Sequence, residues 1–524
     1  MRRTIAVAAC VALLLGPVSR ARAATSVPPP EASAVTIPPG RIDRAVASLD
    51  RLAAAYLRST GVPGIAIAVV HGDKVVYAKG FGVREIGTQK KVDADTVFQL
   101  ASVSKPLGAT VMAALVGRGV IAWNEPVAKH LPGFTLADPW VGAHVTLADM
   151  YSHRSGLPDH AGDLLEDLGF DRATILERLA LMPLAPFRSS YAYTNFGLTA
   201  AAQSAANAAG ASWEDVSKKV LYAPLGMRST SSRYADYANA PNHATIHVRV
   251  GGKWYARYTR EADAESPAGG ASSSVSDMAK WMRLELAGGT FAGKRIVDAK
   301  ALAETFVPHA VSTKPFSLIA RASFYGLGMG VGYDEAGRVR WSHSGGFNSG
   351  AATTVVMLPS ERLGIVVLTN GMAVGIPESI AADFMDLAEL GAIQRDWLAG
   401  YTPLFSPMYV NKSRLAGKRP PANATPAKAN SAYVGKFKSA FYGFATVEAR
   451  GGGLVLLLGP KREAFPLTHF SGDEFSYLPR GENAVGPSAV TFSFDSGGNA
   501  NRLEIEFLND DGLGVFSRVV GAST

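Results

Sequence analysis

Cysteine is almost missing from this sequence. The one example, Cys10, falls inside an N-terminal stretch that has the form of a removable export signal. Arg2 and Arg3 open it, an apolar run from Thr4 to Gly16 follows, and Ala21-Arg22-Ala23 fits a small-x-small cleavage site. Cleavage after Ala23 is expected to leave no cysteine. That excludes disulfides, thiol catalysis and thiolate metal sites. Val7-Ala8-Ala9-Cys10 resembles a lipidation box, but it comes too early and apolar residues continue past it, so no lipid anchor is predicted. Long apolar runs are also lacking. The signal run falls short of the roughly 20 residues a bilayer span needs, and no other stretch reaches that length. Positive charge is present but dispersed. The net charge of +8 falls to +4 once four arginines leave with the signal, and no Lys/Arg stripe remains to bind nucleic acid. No fixed-period repeat is present.

What is present is a globular composition, 47% hydrophobic and 18% charged, over 524 residues. That length exceeds a single ordinary core, so two or more domains are expected. Residues 24–40, with Pro28-Pro29-Pro30 and Pro38-Pro39, make an extended lead-in. Apolar residues at helical spacing, from Ile42 to Tyr56, predict one helix over Arg41–Arg58. Gly64–Val70 and Lys74–Lys79 predict a hairpin turned by His71-Gly72-Asp73. A mostly helical middle follows, with an Ala-rich helix from Gly197 to Ala209. Two further strands, Gly350–Leu358 and Gly364–Asn370, are joined by Pro359-Ser360-Glu361-Arg362, and a helix over about Pro377–Leu390 closes the unit. Strands from both ends of this unit flank the helical middle. The expected class is therefore α+β, one antiparallel sheet with helices on its faces. Residues 411–430 are basic and rich in Pro and Ala, which predicts a linker within 401–430. Short strands beyond it (Phe441–Glu448, Leu454–Leu458, Glu474–Leu478, Ala489–Phe494 and Leu503–Phe507) predict a small antiparallel barrel or sandwich over 431–524.

Three small constellations carry chemistry. Ser102-Val103-Ser104-Lys105 precedes a helical pattern from Pro106 to about Val116, with proline at the tolerated first turn. Residues three apart share a helix face, so the Lys105 amine can lie beside the Ser102 hydroxyl. A serine hydroxyl needs a base, and a lysine serves only if burial lowers its pKa. The helix N-terminus adds N–H groups suited to an oxyanion. This is the one Ser-x-x-Lys in the sequence. Tyr193-Thr194-Asn195 offers a phenol for proton relay and an amide to orient neighbours. Tyr237-Ala238-Asn239 and Tyr409-Val410-Asn411 share its form, however. His343-Ser344-Gly345-Gly346, just ahead of the strand beginning at Gly350, offers glycines that let backbone approach a substrate. His160-Ala161-Gly162 has a similar minimal form.

In this order the three motifs resemble the serine β-lactamase/penicillin-binding superfamily, on its class C and esterase side. Phe98-Gln99-Leu100-Ala101, Asn124-Glu125-Pro126-Val127, His153-Arg154-Ser155-Gly156-Leu157-Pro158, Pro224-Leu225-Gly226-Met227, Pro267-Ala268-Gly269-Gly270 and Tyr325-Gly326-Leu327-Gly328 extend the resemblance over roughly residues 45–375. The family order, with Tyr-x-Asn ahead of Pro-Leu-Gly-Met, selects Tyr193 over Tyr237. The C-terminal part is similar to lipocalin-like modules appended to some of these hydrolases.

The resemblance implies a serine hydrolase with Ser102 as nucleophile and Lys105 with Tyr193 as its activators. Asn195 orients Lys105, and the N–H groups of Ser102 and Gly346 form the oxyanion hole, while His343, Ser344 and Gly345 line the substrate. It implies no metal or organic cofactor. The expected partner is a small ester or peptide, and no oligomer is predicted. His343 stands where many members carry lysine. A largely neutral histidine binds carboxylate weakly, which favours esters, small amides or D-residue peptides over β-lactams. A non-catalytic relative that binds cell-wall fragments is the competing class. Export without disulfides fits a bacterial periplasm or secretion.

Overall fold

A computed structural model describes residues 32–519. The expected signal, with Cys10, and the first part of the lead-in lie outside the described residues. Gly64–His71 is apolar at every position up to Val70, and a strand of that kind needs cover on both faces. Alternation divides it. Ala66, Ala68 and Val70 face one apolar cluster with Leu107, Val111, Met278 and Met282, while Ile65, Ile67 and Val69 face another with Leu49, Leu52, Ile380 and Phe384. The strand belongs to an eight-stranded sheet whose neighbours all pair antiparallel. Its order is Lys74–Gly82, Gly64–His71, Leu363–Thr369, Ala351–Leu358, Val339–Phe347, Gly330–Tyr333, Ser323–Tyr325, Ala310–Thr313. Strands from the two ends of the unit therefore meet inside one sheet, as the sequence pattern predicts.

The first helix departs from expectation. It is two helices, Arg41–Ala47 and Leu49–Thr60, broken at Ser48, whose hydroxyl donates to the Ala45 carbonyl at 2.6 Å and competes with the helical ladder. Together with Ile376–Glu389 they cover one sheet face. On the other face lies Ser104–Gly117, in which every residue from Ser104 to Leu115 is buried. A helix apolar all round is a core helix. It anchors the residues ahead of its first turn in the centre of the molecule.

His343-Ser344-Gly345-Gly346 precedes the expected strand, here Ala351–Leu358, but itself lies within a strand that was not expected, Val339–Phe347. Its glycines hid the period-2 pattern, since a glycine adds no side chain to either face. On one side this strand pairs with Ala351–Leu358 from Trp341 through Phe347. On the other, Gly330–Tyr333 stops at Ser342, which leaves the edge from His343 to Phe347 without a partner strand.

Beyond residue 430 eight strands from Gly435–Ser439 to Val515–Arg518 run in sequential order and close into a barrel. Three of them were not expected from sequence: Gly435–Ser439, Glu463–Ser471 and Val515–Arg518. Glu463–Ser471 carries Pro466, a residue that argues against a strand, yet Phe465 and Leu467 on either side of it point inward. Aromatic side chains fill the barrel, with Tyr433 at 5.1 Å from Phe475 and 5.0 Å from Phe492 between ring centres. The segment read as a linker begins inside the helix Trp397–Phe405 and the 3-10 turn Ser406–Tyr409, is irregular over most of its length beyond them, and is pinned. Tyr409 donates to the Ala373 carbonyl at 2.8 Å, and Ser413 donates to Glu506 of the barrel at 2.6 Å.

Candidate active site

Ser102 sits on a short 3-10 turn, Ala101–Val103, that leads into the buried helix Ser104–Gly117. Ala101 immediately before it holds φ at 47°, a conformation costly for a residue with a Cβ. Gly345 explains how the turn is held. A Cβ there would lie 2.4 Å from the Leu100 carbonyl oxygen and 2.8 Å from the Ser102 nitrogen. The face of Val339–Phe347 that carries Gly345 thus lies directly against the backbone of Ser102.

Lys105 is fully buried one helical turn on. Its Nζ lies 3.0 Å from Ser102 Oγ, 2.8 Å from Asn195 Oδ1 and 2.9 Å from the Ala268 carbonyl oxygen. Burial lowers its pKa to about 8, against the opposing pull of Glu265 and Asp163. The Tyr193 ring lies under the same amine, 4.4 Å from Nζ to ring centre. Burial pushes the Tyr193 phenol well up, and a side-chain bond with Ser102 works the other way. The phenol is therefore protonated at rest.

Tyr193 is clamped on both sides of its backbone. Its N–H donates to Asp159 at 2.7 Å, and its carbonyl accepts from the His160 N–H at 2.7 Å. The His153 ring packs 4.5 Å from its own, and burial keeps His153 neutral. Asn195 opens the helix Asn195–Ala208. Its Nδ2 donates to Asp163 Oδ2 at 3.0 Å, which turns Oδ1 toward Lys105. Asp163 also receives His160 Nδ1 at 2.8 Å, and that bond raises His160 to about 9.

His343 shares the sheet face of Gly345 but is buried, with Nε2 2.8 Å from the Tyr325 hydroxyl and Nδ1 2.7 Å from the Ser344 carbonyl oxygen. The carbonyl can only accept, so Nδ1 carries the proton and Nε2 accepts from Tyr325. Burial and the Lys105 charge take its pKa down to about 3, so it offers no cation to a substrate. The Ser344 side chain points to the other face of the strand, with Oγ 3.1 Å from Thr354 Oγ1, so its side chain does not line the Ser102 face. Gly346 faces the same way as Ser344; a Cβ there would meet Ala373 at 2.7 Å.

The structure brings Ser102, Lys105, Tyr193, Asn195, His343 and Gly345 to one place. Tyr237, the sequence look-alike of Tyr193, instead donates to the Ala244 carbonyl at 2.5 Å. Sequence reasoning missed Asp163, the Ala268 carbonyl and the Tyr325 hydroxyl as members of the site. Two of these fall in segments already singled out, Pro267-Ala268-Gly269-Gly270 and Tyr325-Gly326-Leu327-Gly328. Asp163 left no signal beyond its place three residues after His160.

The profile of the Beta-lactamase family matches residues 49–389, a span that takes in the whole of this site. The chain belongs to the beta-lactamase family. A domain of unknown function, DUF3471, matches residues 419–513. The D-alanyl-D-alanine-carboxypeptidase/endopeptidase AmpH of Escherichia coli K12 is 25% identical over 330 residues, covering 62% of this chain and 83% of its own. Penicillin-binding protein 4 of Amycolatopsis lactamdurans is 27% identical over 377 residues, 68% of this chain and 92% of its own. Among solved structures, the octameric penicillin-binding protein homologue from Pyrococcus abyssi superposes with a TM-score of 0.57 at 20% identity. It covers 90% of this chain and 99% of its own length. That likeness concerns the fold. The chain is accordingly a serine hydrolase of the beta-lactamase/penicillin-binding group. No described helix is long and apolar enough to cross a membrane.

Proposed function

We propose that the chain is an exported hydrolase that forms an acyl-enzyme on Ser102 and cleaves esters, small amides or peptides. The observation that carries this is the set of three contacts at Lys105 Nζ. Asn195 Oδ1 and the Ala268 carbonyl can only accept, so a neutral amine donates its two N–H bonds to them. Its lone pair is then left facing the Ser102 hydroxyl. Lys105 takes the serine proton as Oγ attacks the substrate carbonyl. The N–H groups of Ser102 and Gly346 receive the oxyanion, and one such donor contributes about 100-fold or more. Tyr193, protonated at rest, gives its proton to the leaving group and is reprotonated from Lys105. Water then releases the acyl group by the reverse relay.

A neutral, sequestered His343 favours substrates that lack a carboxylate on the leaving-group side. The open strand edge from His343 to Phe347 suits an extended acyl chain, which supports a peptidase acting on linear or D-residue peptides, linearised cyclic peptides included. The unguisins hydrolase ungD of Aspergillus violaceofuscus is 27% identical over 338 residues, spanning 59% of this chain and 58% of its own. Residues 1–23 are read as the signal, 24–40 as the lead-in, 41–400 as the hydrolase, 401–430 as the linker and 431–524 as the lipocalin-like β domain. The mature chain is placed in the periplasm or outside the cell.

Ser102→Ala should abolish p-nitrophenyl ester turnover and labelling by a fluorophosphonate. Retained turnover in that variant sinks the mechanism. A panel of nitrocefin, short-chain esters, D-Ala-D-Ala peptides and linear peptides ranks the substrates. Silence across the whole panel with specific muropeptide binding would identify a sensor instead.

A further inference from the structure

We propose that the C-terminal barrel completes the active site, with Glu482 as a positioning residue that fixes the turn after the strand lying against Ser102. This rests on Ser102 being the nucleophile. Glu482 stands in the loop between barrel strands Glu474–Tyr477 and Ser488–Phe494. Its side chain reaches out of the barrel to the turn that follows Val339–Phe347. There its carboxylate accepts from the N–H of Asn348, from the N–H of Ser349 at 3.3 Å and from the Ser349 hydroxyl at 2.7 Å. The Asn348 amide donates back to the Glu482 carbonyl at 3.0 Å. Two of the turn's backbone donors therefore find their partner in another domain, while the third, the Gly350 N–H, donates to the Phe347 carbonyl at 3.0 Å.

The barrel loop is held in its turn by the hydrolase. Asp167 accepts from the N–H groups of Glu482 at 2.7 Å and Asn483 at 3.0 Å. Gly481 makes the approach possible: its φ is 123°, and a Cβ would fall 2.3 Å from the Asp167 carboxyl carbon.

Arg260 then joins this loop to the rest of the catalytic centre. Its side chain, 10% exposed, pairs with Glu166 at 2.5 Å and Glu265 at 2.7 Å, and its Nε lies 3.9 Å from Glu482. Glu166 shares the short helix Asp163–Asp167 with Asp163, which orients Asn195. Glu265 accepts through its carbonyl from the Ala268 N–H at 2.7 Å, in the turn whose Ala268 carbonyl holds Lys105. One guanidinium thus ties together the supports of Asn195, of Lys105 and of the strand edge at Gly345. Taking Glu482 away releases the third support, leaves Arg260 its closer partners Glu166 and Glu265, and removes no group placed at the reacting atoms.

The test uses the full chain and reads fluorophosphonate labelling of Ser102 per folded molecule, with hydrogen exchange at Asn348 and Ser349. Glu482→Ala should speed exchange at both amides and slow labelling by at least about tenfold, through the rate of the covalent step more than through binding of the probe. Glu482→Gln, which keeps one acceptor, should fall between. Arg178→Ala is the control for a purely structural link. It removes a 2.7 Å bond to the Phe441 carbonyl of the barrel away from Ser102, and should lower the melting temperature with labelling unchanged. A folded Glu482→Ala protein that labels within about twofold of wild type overturns the proposal. A wild-type chain that is never labelled overturns the nucleophile itself, which separates the two failures.

Discussion

At the scale of single residues, burial decides what each group can do. Lys105 acts as a base only when neutral, so kcat/KM for an uncharged ester should rise with pH and level off above an apparent pKa of about 8. His343, held near 3, should add no inflection around the ordinary histidine value. A step near pH 6.5 in that profile, lost in His343→Asn, would contradict this. Glu285 illustrates burial acting on stability. It accepts from Thr110 at 2.6 Å inside the core, and its pKa is raised to about 7. The folded state holds the proton more tightly than the unfolded one, so this contribution is full below the unfolded value of 4.5 and is lost as pH rises toward 7. Glu285→Gln, which keeps the acceptor without the titration, should raise the melting temperature at pH 7.5 and change it little at pH 4.5. A calorimetric comparison at the two pH values decides it.

The same scale shows which residues sequence could and could not identify. Ser102 and Lys105 were legible because three-residue spacing at a helix start is local geometry. Tyr193 needed the order of distant motifs to separate it from Tyr237 and Tyr409. Asp163, Arg260 and Glu265 left no trace, since their partners lie far away in the chain and any acidic or basic residue looks alike until the fold assembles it. The Ala268 carbonyl belongs to the backbone and has no residue type to betray it.

At the scale of elements, the strand Val339–Phe347 does the positioning. Gly345 lets it approach the Ser102 turn, and together with Gly346 it concealed the segment as a strand. Gly345→Ala would force its Cβ against the Leu100 oxygen and the Ser102 nitrogen, both backbone atoms that cannot step aside. We expect kcat/KM to fall by about 100-fold or more, comparable with losing an oxyanion donor, while the protein still folds. Near-normal kinetics from Gly345→Ala would mean the close approach does not matter. The strands Gly64–His71 and Leu363–Thr369 were legible because both faces are apolar. The single helix expected over Arg41–Arg58 was not legible as two, because apolar spacing carries across Ser48 undisturbed.

At the scale of the whole molecule, one continuous apolar cluster includes Leu165 and Leu176 of the hydrolase together with Tyr442 and Phe465 of the barrel. Two independent domains would melt separately. A shared core predicts a single cooperative transition by calorimetry, with the calorimetric and van't Hoff enthalpies equal. Two resolved transitions would show that the contact is loose. The composition change after residue 430 correctly announced a second β unit, but composition says nothing of contacts between units, and none of the barrel's bonds to the hydrolase could be anticipated.

The order of assembly follows from where the chain ends meet. Gly64–His71 finds its inner neighbour only in Leu363–Thr369, and Ser102 finds its opposing backbone only at Gly345. Such distant pairing makes for slow folding. A nascent or unfolded chain carries the serine long before it has anything to activate it. Hydrolytic competence therefore arrives late and all at once, when the two ends of the sheet close on each other.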